Sequence, residues 1–287
     1  MIAKPERPLQ IFTTCKGRDL PILEITARKI WQMLPCRTLY VVAPGHDCPA
    51  IRKSLGSSAT VIPEDDFIPT MTIARLKQLP IPNFPQAAGW YFQQLLKLQI
   101  AYFDPAEDYY LIWDADTVPL KPMTFFDADG KMLLTKAAEH HASYFETYRN
   151  LFGTGAGREF SMIAQHMVVQ KSIAREMLAR IEQRVEGTDT WPWKIMRSLP
   201  RTGDNLFSEY ETYGHYIKNH HPDRVRFIDR QWRREAGSNQ GCALPTEADQ
   251  KSLARDYEYA AFERASSGWR LWGRRMAGDL RRILQPR

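Results

Sequence analysis

Residues 109–122 read Tyr-Tyr-Leu-Ile-Trp-Asp-Ala-Asp-Thr-Val-Pro-Leu-Lys-Pro. The unbroken apolar run 109–113 fits a strand covered on both faces, the pattern of a parallel sheet rather than the alternation of a half-exposed one. Asp114 and Asp116 follow where such a strand meets solvent, at the carboxyl edge where open α/β sheets place their ligands. In extended chain, positions i and i+2 project to one side. The two carboxylates can therefore share one divalent cation, and an all-oxygen donor pair suits Mg²⁺ or Mn²⁺ facing a diphosphate.

The segments around this strand alternate in period. Gln10–Cys15 reads as a first strand, and Asp19 is positioned to cap a helix carrying Leu23, Ala27, Ile30 and Leu34 at helical spacing. Arg37–Ala43 reads as a second strand closed by Pro44-Gly45, and Ala59–Pro63 as a third. Pro69, Pro80, Pro82 and Pro85 mark a loop. From Gly89 to Phe103, Phe92, Leu95, Leu96, Ile100 and Phe103 form an apolar stripe, with Gln93 and Lys97 one turn apart on a polar edge. Beyond Asp116, strands are expected at Lys131–Lys136 and over Ser161–Gln170. Helices are expected from Ser172 to Arg184 and over Phe207–Lys218, with a short strand at Arg224–Ile228. The alternation predicts a mostly parallel, helix-covered sheet in an α/β fold. Gly153-Thr154-Gly155-Ala156-Gly157 lacks the spacing of a dinucleotide fingerprint and reads as a flexible loop.

Charge is uneven. The chain carries a net charge of +6, and residues 268–287 hold six arginines against one aspartate. The body is thus nearly neutral, which argues against a nucleic-acid binder with a basic stripe on its fold. Four cysteines at positions 15, 36, 48 and 242 have neither metal-ligand spacing nor disulfide density, and no run of 18 apolar residues occurs. These features predict a cytoplasmic protein.

The order Ile11-Phe12-Thr13-Thr14-Cys15, Gly89–Leu98, Leu111–Thr117, Gln165-His166-Met167 and Phe207–Gly214 resembles GT-A-type nucleotide-sugar glycosyltransferases, within a bacterial family of sugar transferases bearing a D-x-D motif. The resemblance spans about residues 9–235. It implies a Rossmann-like domain over 1–235, followed by an extension over 236–287. It further implies that Asp114 and Asp116 hold Mn²⁺ or Mg²⁺ on the donor diphosphate, with Asp116 the more direct ligand. A third ligand late in the chain is commonly histidine in such enzymes, and His166, His215, His220 and His221 are all open. Thr13 and Thr14 are candidates for the nucleoside, and Gln93, Lys97, Asp114 and His166 for the donor. An inverting transferase needs a carboxylate base for the acceptor hydroxyl. Glu209 and Glu211 are the candidates, with Glu209 first because it opens its helix; Glu211 can instead pair with His215 one turn on.

From Trp269 to Leu284, Trp269, Trp272, Met276, Leu280, Ile283 and Leu284 share one helical face opposite Arg270, Arg274, Arg275, Arg281 and Arg282. That pattern suits a helix lying on an anionic membrane surface, or one packed on protein. The partners expected are a nucleotide-sugar donor and a saccharide or lipid-linked acceptor, with no nucleic acid, and the place of action is the cytoplasm or the inner membrane face. Two alternatives remain. A phosphatase of the haloacid-dehalogenase type would use Asp114 as nucleophile and Asp116 as acid/base. A non-catalytic membrane-surface binding protein would leave both aspartates without a task.

Overall fold

The computed structural model describes residues 7–80, 87–203, 205–234 and 244–263. In chain order the first half runs β1 (Leu9–Thr14), α1 (Leu20–Met33), β2 (Cys36–Ala43), α2 (Cys48–Leu55), β3 (Thr60–Pro63), α3 (Ile73–Leu76), α4 (Ala88–Gln99) and β4 (Tyr109–Trp113). The second half runs β5 (Thr117–Pro119), β6 (Met132–Thr135), α5 (Ala142–Phe152), β7 (His166–Gln170), α6 (Lys171–Arg184), α7 (Trp191–Arg197), α8 (Glu209–His220), β8 (Val225–Ile228), β9 (Trp232–Arg233), α9 (Glu247–Asp256) and β10 (Tyr259–Ala261).

The result is a mixed α/β fold around a five-stranded sheet of order β3-β2-β1-β4-β7. The pairs β1–β2, β2–β3 and β1–β4 are parallel; β7 alone runs antiparallel, against β4. All six residues of β1 are buried, as a strand with helices on both faces requires. Local signals set the element ends. Pro21 sits in the first turn of α1, where its missing N–H costs nothing, and α1 stops at Leu34, which Pro35 holds extended. Gly153 closes α5 with φ 73°, the left-handed conformation that terminates helices. The glycine run 153–157 therefore begins as a helix cap.

The winding of the chain positions the site. From β1 it proceeds to β2 and β3 on one side, then crosses to β4 on the other, so the carboxyl ends of β1 and β4 flank a topological switch point where a crevice opens. A second, smaller sheet (β5-β10-β9) carries on from the Asp114–Asp116 loop, since β5 follows it directly. β10 pairs antiparallel with β5, Ala261 opposite Thr117, and Phe262 N donates to Asp116 O at 2.8 Å. Ile22 of α1, Val118, Leu120, Ala260 and Phe262 form the apolar cluster that holds this ladder down. Residues 244–263, part of the extension set apart by sequence, are thus packed on the body.

Two expectations change in detail. The segment expected at 131–136 is a strand, but β6 pairs with β8 in a separate two-stranded ribbon instead of joining the central sheet. The expected strand over 161–170 begins only at His166. The basic amphipathic segment 269–284 lies outside the described residues. Among those described, no helix is long and apolar enough to cross a membrane.

Candidate active site

A cleft of about 350 Å³ opens at the switch point. Its walls are the end of β1 (Thr14, Cys15, Lys16), one face of α4 (Gly89, Trp90, Gln93, Lys97), the Asp114–Asp116 loop, and the start of α8 (Ser208, Glu209, Tyr210). The loop is built by its own backbone. Asp114 N donates to Gln165 O at 3.0 Å, Thr117 N to Asp114 O at 3.1 Å, and Trp113 Nε1 to Thr117 O at 2.6 Å. Gln165, also on the cleft wall, holds φ 64°, a left-handed conformation that costs a non-glycine residue energy.

Lys97 is at the centre of the polar network. The residue is 5% exposed, and its ammonium lies 2.5 Å from Asp114 Oδ1 and 2.7 Å from Glu209 Oε1. Tyr210 OH donates to the same Asp114 oxygen at 2.8 Å. Burial alone would depress the lysine, but the Asp114 and Glu209 charges outweigh it and hold its pKa above the ordinary value. Burial raises Glu209, opposed by Lys97. Asp114 thus spends one oxygen on Lys97 and Tyr210, while Oδ2 has no partner among the described residues.

Asp116 contrasts with it. Half-buried on the cleft wall, its carboxylate makes no hydrogen bond or salt bridge to another side chain among the described residues. Burial, then the Asp114 and Glu263 carboxylates, push its pKa up to about 7 against the opposing charge of Lys97. Glu263 arrives because the β5–β10 ladder delivers the residue after Phe262 beside the loop. Arg234 lies between Glu263 (2.8 Å) and Glu139, all three on the cleft wall.

The other sequence candidates divide. Gln93 Nε2 donates to Thr14 Oγ1 at 2.8 Å, joining α4 to β1 at the cleft. Thr13 is buried on the other side of the strand, does not line the cleft, and its hydroxyl has no partner among the described residues. Glu211 turns away from the cleft: Ser161 Oγ donates to its Oε1 at 2.6 Å, and His215 Nε2 lies 2.9 Å from its Oε2, the i, i+4 pair anticipated from sequence. His166 is not brought to the cleft either. In register opposite Trp113, it stacks on that indole (centroids 4.9 Å apart), with Nδ1 3.0 Å from Ala164 O and Nε2 3.3 Å from Thr135 Oγ1. Burial, and then the charge of Arg230, depress its pKa to about 3, so it is a neutral core histidine. His220 packs on Tyr216 and His221 pairs with Glu176. Among the described residues, no histidine lines the cleft.

Among the described residues, no three His, Cys, Asp or Glu converge to hold a metal by themselves. A hard divalent cation needs less. Mg²⁺ is commonly held by one or two carboxylates, with phosphate oxygens and water completing its shell. Among the described residues, the Asp116 carboxylate, which has no side-chain partner, and Oδ2 of Asp114, which has none either, fit that donor set. The charge balance agrees, since among the described residues seven carboxylates and four basic side chains line the cleft. A diphosphate would meet net repulsion there unless a cation accompanied it.

The chain belongs to the DUF6492 family, a family of unknown function whose model matches residues 19–257. A comparison with curated proteins finds no match. Among solved structures, it is similar to the galactosyltransferase LgtC, crystallised with donor and acceptor sugar analogs (12% identity, 97% of each chain, TM-score 0.43). It is also similar to mouse xyloside xylosyltransferase 1 (10% identity, 90% of this chain and 94% of that one, TM-score 0.47). A third likeness is to the bifunctional glycosyltransferase WbbM (9% identity, 94% of this chain and 48% of that one, TM-score 0.44). At these scores the likeness decides neither fold nor chemistry, which rest on the chain's own strand order and side chains.

Proposed function

We propose that the protein is a metal-dependent glycosyltransferase of the GT-A type, moving a sugar from a nucleotide-sugar donor to a saccharide or lipid-linked acceptor. The observation that carries this is the pair Asp114 and Asp116 at the β1/β4 switch point, where among the described residues Oδ2 of the first and the carboxylate of the second have no side-chain partner. Asp116 and Asp114 Oδ2 would hold Mn²⁺ or Mg²⁺, which stabilises a departing nucleoside diphosphate as a Lewis acid. Lys97 holds Asp114 in one orientation through its Oδ1 and so turns Oδ2 to the ligand. Glu209 faces the cleft and is the candidate base for the acceptor hydroxyl, while Glu211, committed to Ser161 and His215, is not. Gln93 and Thr14 offer an amide and a hydroxyl to the donor.

In the phosphatase alternative Asp114 would attack phosphorus. Its Oδ1 is already shared by Lys97 and Tyr210, and its strand is fourth in chain order, whereas that motif normally sits on the first. The deciding experiment is thermal stabilisation by UDP, GDP, CMP and dTDP, each with and without Mn²⁺. A shift for one nucleoside diphosphate that requires the metal is expected. No shift with any of them, together with Mg²⁺-dependent hydrolysis of small phosphate esters, would replace the transferase with the phosphatase. The same reading puts the protein in the cytoplasm or at the inner membrane face. Deleting residues 268–287 should then release it from anionic liposomes while turnover on a soluble acceptor persists; unchanged liposome binding would remove the membrane from the proposal.

A further inference from the structure

Four basic side chains among the described residues line the cleft, and three have their charge engaged. Lys97 is held between Asp114 and Glu209, and Arg234 between Glu263 and Glu139. Arg18, largely in solvent, lies 3.6 Å from Asp19. Lys16 differs. It is half-buried, and no carboxylate of the described residues comes within salt-bridge distance of its ammonium. Glu64 feels its charge without pairing.

The ammonium has a defined place. A Cβ built on Gly89 would sit 2.6 Å from Lys16 Nζ, so this glycine gives the lysine its room. Gly89, Gln93 and Lys97 fall on successive turns of one face of α4. That face meets Lys16, then Thr14, then Asp114, all on the cleft wall. Among the described residues, Gly89 is also the only glycine lining the cleft.

We infer that Lys16 is the cation that binds a phosphate of the nucleoside diphosphate, in the space Gly89 leaves open. The inference rests on the donor reading above and assigns it a residue outside the carboxylate pair. A lysine meets phosphate as a mobile point charge, and a half-buried ammonium facing a cleft without a counter-charge gains most from such an ion.

The test is isothermal titration of the full chain with nucleoside diphosphate plus Mn²⁺, and with Mn²⁺ alone. Lys16→Gln should weaken the nucleotide about tenfold, the loss of one charge-assisted contact, while Mn²⁺ affinity and Tm stay at wild-type values. Gly89→Ala should shift the flexible Lys16 end and weaken the nucleotide in the same direction. Lys53→Gln, which removes an exposed charge on α2 away from the cleft, should change nothing. Unchanged nucleotide affinity in folded Lys16→Gln overturns the assignment. If the wild-type protein binds no nucleoside diphosphate, the donor reading fails. Inorganic pyrophosphate then decides Lys16: binding lost in Lys16→Gln retains the lysine as an anion site, and binding equal in both proteins, or absent from both, overturns it.

Discussion

Asp116 and Lys97 stand in one cleft, yet their removal should have opposite consequences. Asp116 has no side-chain partner among the described residues and carries a carboxylate its surroundings disfavour. Asp116→Ala should therefore leave the fold intact, with Tm equal to or above wild type, while abolishing sugar transfer and the Mn²⁺-dependent nucleotide shift. Full transfer activity in a folded Asp116→Ala protein would sink the metal assignment. Lys97 is the reverse. Its ammonium compensates two carboxylates in a water-poor site, and removing one member of such a set leaves buried charge uncompensated. Lys97→Met should cost about 3–5 kcal/mol of stability, read from denaturant unfolding. A loss below about 1 kcal/mol, the range of exposed pairs, would mean that the network is solvated.

At the scale of elements, α8 is the one on which the site depends most. Its residues 209–217 are all buried, and Ser208 caps it by accepting a hydrogen bond from Glu211 N. Gly214 faces Met162 so closely that a Cβ would lie 2.5 Å from Met162 Cγ and 2.9 Å from its Cβ. Neither atom is the free end of a side chain, so Gly214→Ala must move backbone. It is expected to cost about 1–3 kcal/mol by overpacking, and to lower turnover because Glu209 and Tyr210 open the same helix. A Gly214→Ala protein as stable as wild type would show that α8 and the 161–164 segment slide freely. Elements also mark what sequence could and could not reveal. β4, α4 and the Asp114–Asp116 loop are legible because a five-residue apolar run and a 3.6-residue stripe are strong periodic signals. β5, β9 and β10 have three, two and three residues, too few for any period, yet they deliver Arg234 and Glu263 to the cleft. His166 shows the other limit: its place at a strand end is readable, but the choice between cleft and core depends on the antiparallel register with Trp113. The link from Lys97 to Asp114 and Glu209 joins α4, β4 and α8, and no spacing in sequence encodes it.

Over the whole molecule, the acids of the cleft set how stability should vary with pH. Asp116 and Glu64 both titrate near 7 in the folded chain, raised from ordinary values of 3.8 and 4.5 chiefly by burial. The folded state therefore holds these protons more tightly than the unfolded chain does. Their contribution is fully present below about pH 4, fades as pH rises, and is gone above about pH 7, because stability falls with pH wherever the native state binds more protons. His166, held neutral in the core, works the other way and adds stability as pH rises to its ordinary value of 6.5. The Tm of the metal-free protein should therefore decline between about pH 6.5 and 8, and Asp116→Asn, which cannot titrate, should flatten that decline. Mn²⁺ competes with the proton for the same carboxylates, so its stabilising effect should grow over the same interval and be largest above pH 7. A Tm that rises with pH identically in wild type and Asp116→Asn, with a Mn²⁺ shift independent of pH, would mean that Asp116 is solvated and ionised throughout. The cleft would then need another explanation for the surplus of carboxylates over cations among its described residues.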